Sequence, residues 1–77
     1  MALQRNALQP FESSAITAAG WDERDGTLTI SFTSGKCLDY DEVPEEIWEN
    51  FKAAGSQGKY YNTHIKGKFA GSPHEER

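Results

Sequence analysis

A strictly alternating run between two glycine turns constrains the fold more than any other feature of this sequence. Residues 27–32 read Thr-Leu-Thr-Ile-Ser-Phe, so every second side chain is apolar and those between carry hydroxyls. This period of two is typical of a half-buried antiparallel strand. Asp25-Gly26 precedes the run and Ser34-Gly35 follows it, and glycine tolerates the positive φ that tight hairpins need. The run is therefore predicted to be the middle strand of a meander.

The segments on either side are predicted to pair with this strand. Strand one is expected over residues 15–22 and strand three over residues 36–40. Ile16 and Trp21 are an odd number of residues apart, so a regular strand would place them on opposite faces. This predicts a β-bulge or a late start of strand one.

Two helices are predicted after the strands. Pro44 suits a first helical turn because its missing N–H has no partner there, and Gly55 is expected to end this helix in the left-handed conformation. Ser56 is the expected N-cap of a second helix that runs to about Lys66 and stops at Gly67.

The predicted fold class is α+β. It is a three-stranded antiparallel β-meander followed by two α-helices packed on one face of the sheet, in the order β-β-β-α-α. With 77 residues the chain has room for one domain with a small core. Residues 1–11 are assigned to a flexible N-terminal arm docked through Phe11, residues 12–70 to a single domain, and residues 71–77 to a disordered tail.

Composition argues against several function classes. One cysteine, Cys37, excludes an internal disulfide, and one cysteine with two histidines does not build a structural zinc site, so neither a metal nor a cofactor is expected. No apolar run approaches the ~18 residues of a membrane span and no secretory signal pattern opens the chain, so a cytoplasmic protein without membrane contact is expected. The glycines match no phosphate-binding loop. No catalytic trio stands out from what any short chain offers, so an enzyme is not expected.

The charges are unevenly distributed. Residues 12–49 contain ten acids and two bases, whereas residues 50–74 contain four lysines and no acid. Such asymmetry indicates either a basic face for a polyanion or two segments that complement each other within the fold.

The lysine-rich segment, residues 58–69, combines cations with aromatic rings. Lysines that pair with phosphates and rings that stack on bases are the usual ingredients of single-stranded nucleic-acid binding. The candidate nucleic-acid-binding residues are Lys59, Tyr60, His64, Lys66 and Lys68, with Lys52 in support. Tyr61 and Ile65 lie four apart and are expected to face the core, while Lys59, Thr63 and Lys66 are expected to share the solvent face. Four phosphates on a single strand would weaken binding about 50-fold between 50 and 200 mM salt.

Several motifs resemble those of one small family, the KTSC domain. This short module is named after the C-terminal extension of some lysyl-tRNA synthetases and also occurs as a free-standing bacterial or phage protein. The matching pieces are Ser13-Ser14-Ala15-Ile16, Gly20-Trp21-Asp22, Val43-Pro44 and Ser56-Gln57-Gly58-Lys59-Tyr60-Tyr61-Asn62. The resemblance implies a suggested role in binding RNA and no known catalytic activity.

The sequence departs from the family pattern in the third strand. The family's Tyr-x-Tyr motif falls on Leu38-Asp39-Tyr40, so only the second tyrosine is kept. A leucine suits a face that packs on the helices better than one that stacks on bases. We therefore expect Tyr40 to close the core and to bond the start of the helix through its hydroxyl. Because Asp39 would repel phosphate, a nucleic-acid surface is expected on the second helix and its Lys68 extension.

Two functions remain open at this point. The first is a small non-catalytic module that binds RNA or another single-stranded nucleic acid. The alternative is a protein–protein interaction or accessory module that uses the exposed parts of Trp21 or Trp48 or an acidic surface. That surface consists of Asp39, Asp41, Glu42, Glu45, Glu46 and Glu49. A monomer is expected, and the sheet edges leave a strand-paired dimer open.

Overall fold

A five-stranded antiparallel sheet with strand order β1-β2-β3-β4-β5 forms the frame of the molecule. The computed structural model describes residues 8–73; residues 1–7 and 74–77, which belong to the predicted arm and tail, lie outside the described residues. The strands are β1 Gln9–Pro10, β2 Ile16–Asp22, β3 Thr27–Phe32, β4 Cys37–Tyr40 and β5 Gly71–Pro73. The helices are α1 Glu45–Ala53 and α2 Gln57–Tyr60, and α2 continues directly into a π-helical turn, Tyr61–Ile65. We call α2 and the π-helical turn together the second helix.

The predicted meander is present as β2, β3 and β4. The pairing of β2 with β3 shifts register between Ile16 and Ala18, which confirms the predicted bulge. Both hairpin glycines have positive φ, +74° at Gly26 and +99° at Gly35. The Val43 N–H donates to the Gly26 carbonyl at 2.9 Å, which ties the first hairpin turn to the segment that leads into α1.

The prediction of three strands was wrong, because two short strands extend the sheet at its edges. β1 pairs with β2 through Gln9 opposite Ala19, within the segment assigned to the arm. β5 pairs with β4 through Gly71 opposite Tyr40, within the segment assigned to the tail. Strands of two and three residues carry no alternation of their own, so their neighbours determine them. Phe11 follows β1 and is buried, as expected.

The helix boundaries differ in detail from the predicted ones. Pro44 is the N-cap of α1, in an extended conformation, and Ala54 is its C-cap residue, which is also extended, with φ −65° and ψ 139°. Gly55 is therefore not the predicted left-handed cap. Ser56 is the N-cap residue of α2, although its hydroxyl makes no capping bond. The chain leaves the second helix through Gly67 with φ +78°, in agreement with the predicted stop.

Both helices contribute to one core. The apolar face of β3, represented by Leu28 and Ile30, packs with Phe51 of α1 and with Tyr61 and Ile65 of the second helix, and all five are buried. The chain thus combines an antiparallel sheet and two helices in an α+β fold, as expected.

The hydroxyl face of β3 is also buried, which corrects the expectation of a half-buried strand. Thr29 is 0% exposed and donates its hydroxyl proton to Asp39 of β4 at 2.6 Å. The polar side chain is thereby satisfied without water. Thr27 and Ser31, on the same face of β3, are also buried.

The pairing of β5 generates a stability prediction. A Cβ added at Gly71 would lie 2.6 Å from Cε1 of Tyr40, a buried ring that cannot move away without disturbing the core. We expect Gly71→Ala to lower the free energy of unfolding by about 1–3 kcal/mol. Gly55→Ala is the matched control, because nothing lies within 4 Å of the added carbon and φ is not in the left-handed region.

Urea denaturation followed by tryptophan fluorescence measures both variants. The control is expected within about 0.5 kcal/mol of the wild type. A Gly71→Ala variant as stable as the control would contradict the close contact between β5 and the Tyr40 ring.

Candidate nucleic-acid interface

A pair of buried tyrosines fixes the second helix to the sheet. The hydroxyls of Tyr40 in β4 and Tyr61 in the second helix are hydrogen-bonded to each other. The Tyr61 ring also meets the Phe32 ring edge-on, with centroids 5.2 Å apart. Burial, together with the bond to Tyr61, raises the pKa of the Tyr40 hydroxyl above its usual range. Tyr40 therefore closes the core as predicted, but its partner is Tyr61 and not the start of a helix.

The π-helical turn decides which side chains reach the surface. The Lys66 N–H donates to the Tyr61 carbonyl at 2.8 Å, which closes a turn wider than that of an α-helix. Tyr61 and Ile65 are both buried, as expected, and the three residues between them, Asn62, Thr63 and His64, are exposed. Lys66 is the extended residue that caps this turn. The predicted common face of Lys59, Thr63 and Lys66 assumed a continuous α-helix, which the chain does not form.

A ladder of rings leads from the core to the surface. Phe51 is fully buried and stacks on Tyr60, with centroids 5.8 Å apart and planes 22° from parallel. Tyr60 is half-buried and meets the exposed His64 at 4.4 Å and 34°. The outer two rings border a groove of about 270 Å³, here called the ring groove, whose wall includes Ala54, Gly55, Ser56, Lys59, Tyr60, Thr63 and His64.

A second groove of about 480 Å³ lies next to the first. It lies between the segment that precedes β2 and the first turn of the second helix, and we call it the polar cleft. Its side chains are those of Glu12, Ser13, Ser14, Gln57 and Asn62, and it shares Gly55, Ser56 and Lys59 with the ring groove. Lys59 therefore lies on the boundary between a groove lined by rings and one lined by hydroxyls and amides.

The predicted cations separate into two groups. Lys59, Lys66 and Lys68 are exposed, and no carboxylate of residues 8–73 lies within 4.0 Å of their ammonium groups. Lys52 is half-buried, its Nζ lies 2.8 Å from Glu49 Oε2, and the same atom lies 5.0 Å from the centroid of the Trp48 ring. Lys52 is thus engaged within the molecule and is a poor phosphate ligand.

The structure brings together only part of the predicted site. Lys59, Tyr60 and His64 share the ring groove, whereas Lys66 and Lys68 follow the π-helical turn and line neither groove. Sequence reasoning missed the polar cleft, although the motifs that carry the family resemblance, the serine pair and residues 56–62, are the ones that meet there.

A third cavity, of about 410 Å³, lies on the acidic side of the molecule. Trp21 and Trp48 line it together with Glu23, Glu45 and Glu49. The Trp21 Nε1–H donates to the Val43 carbonyl at 2.8 Å, so this ring is held in place at the cavity wall.

Residues 8–73 contain neither a metal-ligand cluster nor a membrane-spanning helix. No three histidine, cysteine or acidic side chains are grouped as the ligands of a metal ion would be. No described helix has the length and apolar character that crossing a membrane requires.

Comparison with known proteins agrees with the motifs. The sequence model of the KTSC domain matches residues 12–69. The crystal structure of a KTSC domain protein from Yersinia pestis superposes with a TM-score of 0.83 at 36% identity, over 88% of this chain and 96% of that one. A protein of Tsukamurella paurometabola is 44% identical over 62 residues, which are 80% of this chain and 92% of that protein.

A longer relative contains a similar segment. The lysine–tRNA ligase of Nostoc punctiforme is 40% identical over 58 residues, which cover 75% of this chain but 10% of the ligase. The chain therefore spans about a tenth of that enzyme.

The Tyr40–Tyr61 pair predicts a pH dependence of stability. Because the pKa of Tyr40 is higher in the folded chain than in the unfolded one, the protonated hydroxyl contributes stability at neutral pH. That contribution is lost as the pH rises past about 10, where an unfolded tyrosine ionises. Tyr40→Phe should lower the free energy of unfolding at pH 8 by about 0.5–1.5 kcal/mol and should show a smaller further loss between pH 9 and 11.

Urea titrations from pH 8 to 11 measure this difference. Tyr60→Phe is the matched control, because it removes a hydroxyl outside the Tyr40–Tyr61 bond, and it should keep the wild-type profile. Parallel profiles of wild type and Tyr40→Phe above pH 9 would show that the buried hydroxyl does not couple ionisation to folding.

Proposed function

The chain belongs to the KTSC domain family, and from that premise we propose that it is a non-catalytic module that binds single-stranded RNA through Lys59 and the ring groove. The observation that carries the proposal is the position of Lys59. Its ammonium group is exposed and has no carboxylate partner among residues 8–73, and it stands beside an exposed ring that is backed by a stack from the core.

The ring groove is suited to a nucleobase. Phe51 and Tyr60 are stacked and the His64 ring lies tilted against Tyr60, so a base placed on the exposed side of His64 extends an existing series of ring contacts. Little side-chain entropy is lost on binding, because Tyr60 is held by Phe51 before any ligand arrives. Stacking of one base on an aromatic side chain contributes about 1–3 kcal/mol and tolerates any base.

The lysines are suited to the phosphates of a short strand. Lys59 serves a phosphate next to the stacked base, and Lys66 and Lys68 extend the positive potential beyond the π-helical turn. The chain carries a net charge of −4, so its attraction for a polyanion is local to this side and not a property of the whole surface. With Lys52 neutralised by Glu49, three phosphate contacts replace the four expected from the sequence.

The longer relative supports RNA as the ligand class. The matched segment of the Nostoc enzyme belongs to a lysine–tRNA ligase, a protein whose name states that it acts on tRNA. Affinity for RNA would suit a segment of such an enzyme, and Lys59 with the rings described above could provide that affinity.

Protein binding through the acidic side is the alternative function. The cavity between Trp21 and Trp48 favours it, since glutamates beside indole rings attract cationic side chains. RNA binding would use the ring groove on the second helix, whereas protein binding would use the cavity beside α1. Residue-resolved binding data therefore separate the two functions.

The first binding prediction concerns the ring groove. An isotope-labelled sample titrated with an eight-nucleotide single-stranded RNA at 50 mM salt should show amide shift changes at residues 59–64. Replacing His64 by alanine should reduce affinity about 5-fold or more through lost stacking, whereas His64→Phe keeps a ring at this position and should retain binding. An absence of changes at residues 59–64 would contradict the proposal and favour the acidic side.

The second binding prediction concerns salt. Three phosphate contacts on a single strand give a log–log slope of roughly −2.1, so affinity should fall about 18-fold between 50 and 200 mM salt. Lys59→Ala should reduce the slope to roughly −1.4, a fall of about 7-fold. Lys36→Ala, which removes an exposed lysine of the β3–β4 turn, is the control and should keep the wild-type slope. Equal slopes for the two variants would exclude Lys59 as a phosphate ligand.

A further inference from the structure

The polar cleft contains hydrogen-bonding groups that the fold leaves unused. Ser56 and Asn62 are exposed, and their side chains make no hydrogen bond to another described residue. Gln57 directs one amide N–H to the Lys52 carbonyl at 3.5 Å, which leaves its amide oxygen and second N–H for another partner. Hydroxyls and amides both donate and accept hydrogen bonds. This cleft therefore suits a ligand that has hydrogen-bond donors and acceptors on neighbouring atoms.

The hydroxyl of Ser13 is fixed in place at the cleft by backbone hydrogen bonds. Ser13 Oγ accepts the N–H groups of Ala15 at 3.2 Å and Ile16 at 3.3 Å. With both acceptor positions occupied, the hydroxyl proton is left to donate to a ligand. Gly58 packs against this segment, since a Cβ added there would lie 3.6 Å from both Ser13 Oγ and Ala15 Cβ. The second helix and the segment before β2 therefore meet in direct contact at the base of the cleft.

The charges around the cleft indicate that the part of the ligand bound there is mainly uncharged. One cation, Lys59, and one carboxylate, Glu12, border it, and the remaining polar side chains are uncharged. A phosphate is better placed at Lys59 on the boundary than deep in a cleft that also carries a carboxylate. In a nucleotide, the sugar and the base edge are uncharged, and both can donate and accept hydrogen bonds.

We propose that the polar cleft binds the ribose and base edge of the nucleotide adjoining the stacked one, and that it makes the module prefer RNA over DNA of the same sequence. This inference rests on the proposed function, because it places one nucleotide in the ring groove and the intervening phosphate at Lys59. A ribose 2′-hydroxyl donates and accepts at one atom, and a deoxyribose leaves the facing amide and hydroxyl groups unpaired.

The test compares one octaribonucleotide with the deoxyribonucleotide that has the same bases, uracil included, at a single salt concentration. Wild-type protein should bind the RNA about 3–10-fold more tightly, the ratio that one or two hydrogen bonds provide. Asn62→Ala and Ser56→Ala should each lower that ratio, and together they should bring it near one. Asn50→Ala, which removes an exposed amide of α1 outside both grooves, should leave it unchanged.

Lys59→Ala separates this inference from the function on which it rests. This variant should lower the affinities for RNA and for DNA by the same factor, because both strands carry the phosphate. The ratio of the two affinities should therefore stay as in the wild type. Equal binding of RNA and DNA, with shift changes still present at residues 59–64, would overturn the role of the cleft and leave the ring groove intact. An RNA preference that survives the Asn62→Ala, Ser56→Ala double variant would also overturn it, and no binding of either strand would overturn both proposals.

Discussion

The hydrogen bond between the buried hydroxyls of Tyr40 and Tyr61 is the constraint on which the rest of the structure depends. One hydroxyl donates and the other accepts, so the bond offsets part of the cost of burying these two polar groups. On the sheet side, Gly71 of β5 lies directly over the Tyr40 ring, which leaves no room for a side chain at that position of the edge strand. On the helix side, Tyr61 is the first residue of the π-helical turn. One interior bond therefore fixes an edge strand, a helix and the start of the turn that presents His64.

The same core determines what the surface can bind. Phe51 of α1 is buried in the core, Tyr60 stacks on it, and the His64 ring lies tilted against Tyr60. The exposed ring is thus the last member of a series that begins in the core, and its position is fixed by packing and not by a loop. Binding sites gain precision when rigid elements hold their side chains. The ring groove meets this condition because its rings, Tyr60 and His64, both belong to the second helix, and Tyr60 packs on Phe51 of α1.

Much of the fold could be predicted from the sequence, and the exceptions have physical reasons. The period of two across β3 and the parity change between Ile16 and Trp21 are local signals, and both led to correct predictions. β1 and β5 were missed because such short strands exist only through their neighbours. The π-helical turn was missed because a spacing of four between Tyr61 and Ile65 fits either type of helix. In the site, Lys59, Tyr60 and His64 lie close in sequence and could be found, whereas the meeting of Ser13 with Asn62 requires the fold.

The uneven charge of the sequence is not cancelled by folding among the described residues. The ion pairs that join residues 8–73 are Arg24 with Asp22 and Lys52 with Glu49, and both connect near neighbours in the chain. The second pair joins the acidic segment 12–49 to the lysine-rich segment 50–74 at their boundary, but neither pair includes a lysine of the second helix. The molecule keeps a basic side and an acidic side. Because surface charges act over about 8–10 Å at ordinary salt, an anionic strand bound at Lys59 as proposed would be repelled by the glutamates of α1. In that proposed mode of binding, the acidic side would confine the strand to the path along the two grooves, which is short enough for a single strand.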